Sequence, residues 1–237
     1  INFIIRVFEM LEGLQKVEVF KRCNKELIEN ISKNILIKNV PSDTTILNHG
    51  DDSKHVYVIL EGSVIITQLA EDGKIVGLEL VKSGGSFGEM SAIDGSKRSA
   101  SVISLGAVKL GIINYTFFRN NILEDADFCR SLLVKFTRIV RRSNQQIFSL
   151  ATANARKRLL LQMVRLSSID KTNPTVMVLE KGLSHNAIGS FAGISRETVT
   201  RLISELKLSN IIWSSETGNL EMNIEKVYKE LKSLLNT

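Results

Sequence analysis

Glycine is spread unevenly along this chain, and that unevenness limits the folds open to it. Eleven of its fifteen glycines fall between Gly13 and Gly111, and residues 112–181 contain none. Glycine at short intervals interrupts helices and serves turns, whereas a long glycine-free stretch favours helix. In the first half, short β-like runs at 56–60, 64–68, 76–81, 100–104 and 108–113 are punctuated by Glu61-Gly62, Asp72-Gly73 and Ser83-Gly84-Gly85. Strands and turns at this spacing predict an all-β barrel or jelly roll. Ahead of them, 25–34 reads as an amphipathic helix and Pro41 as the lead into the first strand region.

The glycine-free stretch carries the clearest periodicity. Ala126, Cys129, Leu133, Phe136, Val140, Ser143, Ile147 and Leu150 follow alternating steps of three and four. That is an a/d seam by which one helix pairs with another, and Ser143 is its polar break. The alternative is a helix laid against its own domain's core. Residues 128–169 hold nine Lys and Arg and no acid. A cationic run is most often a solvated face; the length of this one, without alternation of sign, favours phosphates nearby.

Beyond Pro174 the pattern changes again. A short strand at 175–179 precedes helices at 184–192 and 195–208 about Gly193. Strand-like runs at 211–214 and 220–223 flank the turn 216–219, with Trp213 expected to pack this wing. A last helix, 224–235, has Ile224, Val227, Tyr228, Leu231, Leu234 and Leu235 on its apolar side. Helix–turn–helix plus hairpin is a winged-helix layout. The expected chain is therefore α+β: a β jelly-roll domain at 1–125, a linking dimerisation helix at 126–153, and a winged helix-turn-helix domain at 154–237.

Composition narrows the function classes. A chain of 237 residues, 43% hydrophobic and 24% charged, suits one large or two small globular domains rather than a disordered chain. Cys23 and Cys129 are too few for an iron–sulfur cluster or an all-cysteine zinc site, and His49, His55 and His185 are scattered. No metal, haem or iron–sulfur cluster is expected, and so few thiols fit a reducing cytoplasm. Cys129, on the seam, reads as a small buried hydrophobe. The apolar run 3–7 contains Arg6 and is too short to cross a membrane or act as a signal core. A formal charge of +6 hints at a polyanionic partner. No Ser/His/acid set or carboxylate pair stands out, so an enzyme is not expected.

Two stretches carry chemistry. In 84–102, glycines let the backbone approach a ligand and leave N–H groups free at the start of a short helix, a setting for an anion. Arg98 offers a planar charged fork for a phosphate, with the Ser99 hydroxyl beside it. Glu89 can only accept, which suits sugar hydroxyls. The alternative is a structural Glu89–Arg98 ion pair closing a loop. In 183–202, Gly193 breaks a first helix and Ser195 caps a second. Ile188, Phe191, Ile194, Val199 and Leu202 pack the pair together. Arg196, Glu197 and Arg201 then project from the second helix, where base edges are read. The alternative is a Glu197–Arg201 surface pair.

The first stretch resembles the phosphate-binding cassette of cyclic-nucleotide-binding domains. Phe87, Gly88, Glu89, Arg98, Ser99, Ala100, Ser101 and Val102 match, while Met90 and Ile93 depart modestly at apolar positions. Residues 57–64 resemble a strand-and-turn of the same domains. The resemblance implies that Glu89 holds a ribose hydroxyl, that Arg98 and Ser99 hold a cyclic phosphate, and that amides around Gly88 and Met90 complete the pocket. The second stretch, from Ser195 through Arg201, resembles the recognition helix of bacterial Crp/Fnr transcription regulators, and the order of cassette, long helix and winged helix extends that likeness over nearly the whole chain. It implies base reading of a G-T-G-type half-site by Arg196, Glu197 and Arg201, with Ser184, His185 and Ser195 near phosphates. Asn186-Ala187 departs from the family's usual pair there. The likeness places Ser143 and Asn144 against the purine, one of them from a partner subunit. It implies a homodimer through 126–150, palindromic double-stranded DNA, cAMP as ligand with cGMP as the other candidate, and RNA polymerase as a further partner. Two rivals stand beside it: a constitutive DNA binder without ligand, and a nucleotide-binding adaptor that meets proteins through its seam.

Overall fold

The computed structural model describes residues 10–233. The apolar run 3–7 and Leu234 and Leu235 lie outside the described residues. The chain divides into two compact units, Ile1–Gln68 with Glu79–Ser143, and Leu69–Leu78 with Asn144–Thr237.

In the first unit, helix α1 (Lys25–Asn34) starts where the Asn24 side chain accepts from the Leu27 amide, and it buries Leu27, Ile28 and Ile31. It runs directly into β1 (Ile35–Val40), so the strands begin before Pro41 rather than after it. The β-branched residues Ile35, Ile37 and Val40 make this possible, and β1 pairs antiparallel with β6 (Ser101–Ile113) from Ile35↔Ile113 to Val40↔Val108. With β2 (Thr45–Leu47), β3 (Val56–Leu69), β4 (Ile75–Lys82) and β5 (Ser86–Phe87), the sheet follows the path β1-β6-β3-β4, with β2 on β6 and β5 on β3.

Two expected pairs of runs are each one long strand. Residues 56–60 and 64–68 join in β3, and 101–104 and 108–113 join in β6, which leaves Ala100 just before the strand. Glu61-Gly62 is not a reversal but an irregularity in the β3–β6 register. Gly62 sits at φ +85°, and a Cβ there would lie 2.5 Å from the Ala107 carbonyl oxygen. Such a bulge lets a strand bend without ending, which a reading of hydrophobic runs takes for a turn. Alternation along β3 divides the interior: Val56 and Val58 join Phe20, Ile31 and Phe128 in one core, while Tyr57 and Ile59 join Phe87 and Leu110 in another.

After the short helix α2 (Glu89–Asp94), the long helix α3 (Ala126–Thr152) splits the expected seam. Phe128 and Leu132 are buried in the first core, and Cys129 and Phe136 pack partly against it. Leu133, Val140 and Ile147, seven residues apart, stay 66%, 58% and 65% exposed. One face is thus laid on its own unit, and a second apolar stripe remains at the surface. Several cations of the run at 128–169 also brace the protein. Arg138 pairs with Glu18, Arg142 with Glu79, and Arg156 with Glu205 and Glu230. Arg158 donates to the carbonyls of Ala153, Ala192 and Gly193.

In the second unit, α4 (Ala155–Arg165) is capped by Asn154, α5 (His185–Ala192) by Ser184, and α6 (Arg196–Leu208) by Ser195. Leu159, Met163, Phe191, Val199, Leu202 and Leu206 are buried, and Gly193 closes α5. An unanticipated β7 (Ser167–Ile169) joins β8 (Val176–Leu179), β10 (Leu220–Asn223) and β9 (Ile212–Ser214) in a four-stranded sheet. In the wing, the Trp213 indole donates to Glu221 across β9 and β10. Helix α7 (Ile224–Ser233) buries Val227, but Tyr228 is exposed rather than on the apolar side. No helix among the described residues is long and apolar enough to cross a membrane.

Candidate functional site

β5 delivers the chain to Gly88, whose φ of +86° turns it into the short helix Glu89–Asp94. A Cβ at Gly88 would lie 2.8 Å from Arg98 Nη1 and 3.0 Å from the His55 carbonyl oxygen, so glycine is what lets the guanidinium close in. Arg98, 3% exposed, donates from Nε to Ser53 Oγ (3.1 Å), from Nη1 to the Gly88 carbonyl (2.7 Å) and from Nη2 to the His55 carbonyl (2.7 Å). It lies 5.8 Å from the centre of the Tyr57 ring, which stacks on Phe87 at 4.9 Å. Burial pulls the Arg98 pKa down, against the opposing influence of Tyr57, Asp51 and Glu89. The result is a buried cation held by neutral oxygens, with a second hydrogen remaining on each Nη. Such a group attracts an anion.

Glu89, 5% exposed, does not pair with Arg98 as the alternative reading had it. Its Oε1 accepts from Lys135 Nζ of α3 at 2.5 Å, and Lys135 also donates to the Ser86 carbonyl (2.7 Å) and Ser86 Oγ (3.0 Å). Glu89 Oε2 is buried with no hydrogen-bond partner. A buried carboxylate oxygen without a donor is costly unless a ligand supplies one. These groups fit a ligand with an anionic end and a hydroxyl. Ser99 is exposed, its Oγ 3.9 Å from Met90 Sδ. The helix that begins at Glu89 has only six residues and follows Gly88 directly. Ser143 and Asn144 are both exposed on α3.

In the second unit, Ser184 and Ser195 spend their hydroxyls on capping, toward the amides of Ala187 and Thr198. His185 Nδ1 lies 2.8 Å from Thr200 Oγ1, tying α5 to α6. Arg196 and Glu197 are exposed on the first turn of α6. Glu197's own amide, then the Ser195 hydroxyl, hold its carboxyl below the usual range, so it faces solvent as an acceptor. Arg201 pairs with Glu205 at 2.7 Å, one turn on, rather than with Glu197.

Sequence reasoning missed Ser53, His55 and Lys135 around the cassette, and Glu205 and Arg156 behind the exposed arginine. Ser53 and His55 act on Arg98 from more than forty positions away, so no local motif marks them. Lys135 did leave a signal: it follows buried Leu132 on a helix and precedes half-buried Phe136.

Comparison with known proteins gives two family matches: the cyclic nucleotide-binding domain over residues 37–125, and the Crp-like helix-turn-helix domain over residues 157–225. The cAMP-activated global transcriptional regulator CRP of Haemophilus influenzae is 29% identical over 175 residues, 73% of this chain and 77% of that protein. The global nitrogen regulator of Synechococcus elongatus is 25% identical over 171 residues, 71% and 77% of the two chains. The structure of the c-di-GMP responsive global regulator CLP of Xanthomonas campestris superposes with a TM-score of 0.70 at 20% identity, covering 84% of this chain and 99% of that one.

Proposed function

This chain belongs to the Crp/Fnr family of transcription regulators, with a cyclic nucleotide-binding domain and a DNA-binding helix-turn-helix, and on that premise we propose that it is a homodimer gated by a cyclic nucleotide, cAMP before cGMP. One observation carries the gating: Glu89 Oε2 is buried and without a donor in the same cassette that buries the Arg98 cation. In this reading Arg98 and Ser99 hold the cyclic phosphate, and Glu89 accepts from the ribose. The exposed stripe of Leu133, Val140 and Ile147 pairs with that of a second copy, bringing Ser143 and Asn144 toward the purine. Arg196, Glu197 and Arg201 read a palindromic duplex, with the two recognition helices about 34 Å apart, one turn of DNA. RNA polymerase is the further partner. The ligand acts by binding the DNA-competent state more tightly than the other, since equal affinity shifts nothing.

A second reading, a constitutive DNA binder, is favoured by the Lys135–Glu89 pair, which already neutralises the carboxylate. Calorimetric titration of the purified protein with cAMP, cGMP and c-di-GMP separates them. Binding of cAMP or cGMP, lost in a folded Arg98→Ala variant, supports gating. Binding unchanged in Arg98→Ala refutes the pocket assignment, and no binding of any of the three favours the constitutive reading. Steeply salt-dependent binding to a palindromic duplex separates either from a protein-interaction adaptor.

A further inference from the structure

Arg201 is not a free arm on α6. Its Nη1 donates to Glu205 Oε1 at 2.7 Å. The other oxygen of the same carboxylate, Oε2, accepts from Arg156 Nη1 at 3.0 Å, and Arg156 Nε donates to Glu230 Oε1 at 2.6 Å. Four side chains of alternating sign thus run from the exposed face of α6 back to α4 and α7. The order runs from wet to sheltered: Arg201 is 64% exposed, Glu205 41%, and Arg156 and Glu230 each 24%.

An isolated i, i+4 pair at this exposure holds little, because ordering two long side chains offsets most of the attraction. Glu205 differs in being gripped from behind. With Arg156 fixing Oε2, the carboxylate is already ordered when Arg201 meets Oε1, and the charges act as a network. One Nη1 hydrogen of Arg201 is used on Glu205, and the remaining donors of its planar fork point elsewhere, enough for the two acceptors of a guanine edge. The carboxylate also stands one turn beyond Arg201, where it repels phosphates that would otherwise draw Arg201 away.

We infer that Glu205, held from behind by Arg156, is a specificity-determining positioning residue: it orients Arg201 toward a base edge and withholds it from the DNA backbone. The inference rests on the reading of α6 as the DNA-reading helix.

The test uses the full chain and a randomised double-stranded DNA library, with and without cAMP, comparing wild type, Arg201→Ala, Glu205→Gln and Glu230→Gln. Duplexes selected by wild type, and their single-base variants, are then titrated by fluorescence anisotropy. Glu205→Gln should reduce discrimination at the base pair that Arg201→Ala relaxes by about three- to tenfold. Discrimination at the other pairs should hold, and binding to mismatched duplex should strengthen. Glu230→Gln loosens the sheltered end of the network but leaves the Arg201–Glu205 contact, so it should lower the thermal midpoint without changing discrimination. Unchanged discrimination in folded Glu205→Gln overturns the inference, as does equal loss in Glu205→Gln and Glu230→Gln, which marks a merely structural network. Failure of wild type to select any sequence under either condition overturns the reading of α6 itself, and is distinguishable because no variant is then needed.

Discussion

Replacing Lys135 with Met should weaken the first unit far more than removal of any surface charge. Lys135 and Glu89 are 13% and 6% exposed at the side chain and meet at 2.5 Å. At an effective dielectric of about 20, unit charges at that separation attract by roughly 6–7 kcal/mol, a gross figure that desolvation reduces. Removing one partner of a buried pair costs about 3–5 kcal/mol, because the survivor is left uncompensated. Here the Ser86 carbonyl and hydroxyl lose their donor as well. Lys109–Glu61, at 39% and 70% exposure, is the internal control, and Lys109→Ala should move stability by no more than about 1 kcal/mol. The assay is thermal unfolding followed two ways. Far-UV dichroism sees both units, while fluorescence of the single tryptophan, Trp213, reports the second unit. Lys135→Met should bring a dichroism transition down by an amount on the order of 10–20 °C. Adding Glu89→Gln should recover at least about 2 kcal/mol, since a neutral amide no longer needs a counter-charge. A loss below about 1 kcal/mol, or strict additivity of the two substitutions, would refute the argument that this pair is a buried electrostatic unit.

Other outcomes follow from single sites. Gly62→Ala should cost about 2–4 kcal/mol in denaturant unfolding, from the left-handed backbone plus the clash with Ala107, whereas Gly73→Ala, equally left-handed but in open space, should cost only about 1 kcal/mol. The Cys23 thiol is pushed up to about 12 from an ordinary 9.0 by burial first, then by Asp125 and Asp127. At pH 8 its thiolate fraction is therefore about a thousandfold below that of an ordinary thiol, and alkylation followed by mass spectrometry should leave it unmodified in the native protein until the pH rises steeply. Val140→Glu places a charge on the exposed stripe of α3 and should convert the proposed dimer to monomer in sedimentation, without loss of helix by dichroism.

The layout was legible because the signals are local. Caps at Asn24, Ser184 and Ser195 act within three residues of themselves, so 25–34, 184–192 and 195–208 could be read with little error. The cassette could be read because Gly88 and Arg98 stand ten positions apart, and the conformation of one admits the other. Where reading failed, the reason was a partner distant in sequence. Gly62 looks like a turn until β6 lies beside it, and Tyr228 fits the apolar face of α7 until packing leaves it outside.

Sequence alone determined the two kinds of structure in this chain and the two stretches that resemble a nucleotide-binding cassette and a recognition helix, since turn residues, caps and short motifs depend on neighbours a few bonds away. Tertiary structure decided the assignment of charge. Glu89 found Lys135 rather than Arg98, Arg201 found Glu205 rather than Glu197, and the cationic run met acids from 18 to 230. An ion pair forms wherever folding brings opposite charges together out of water, and that proximity is a property of the packed chain, not of spacing along it.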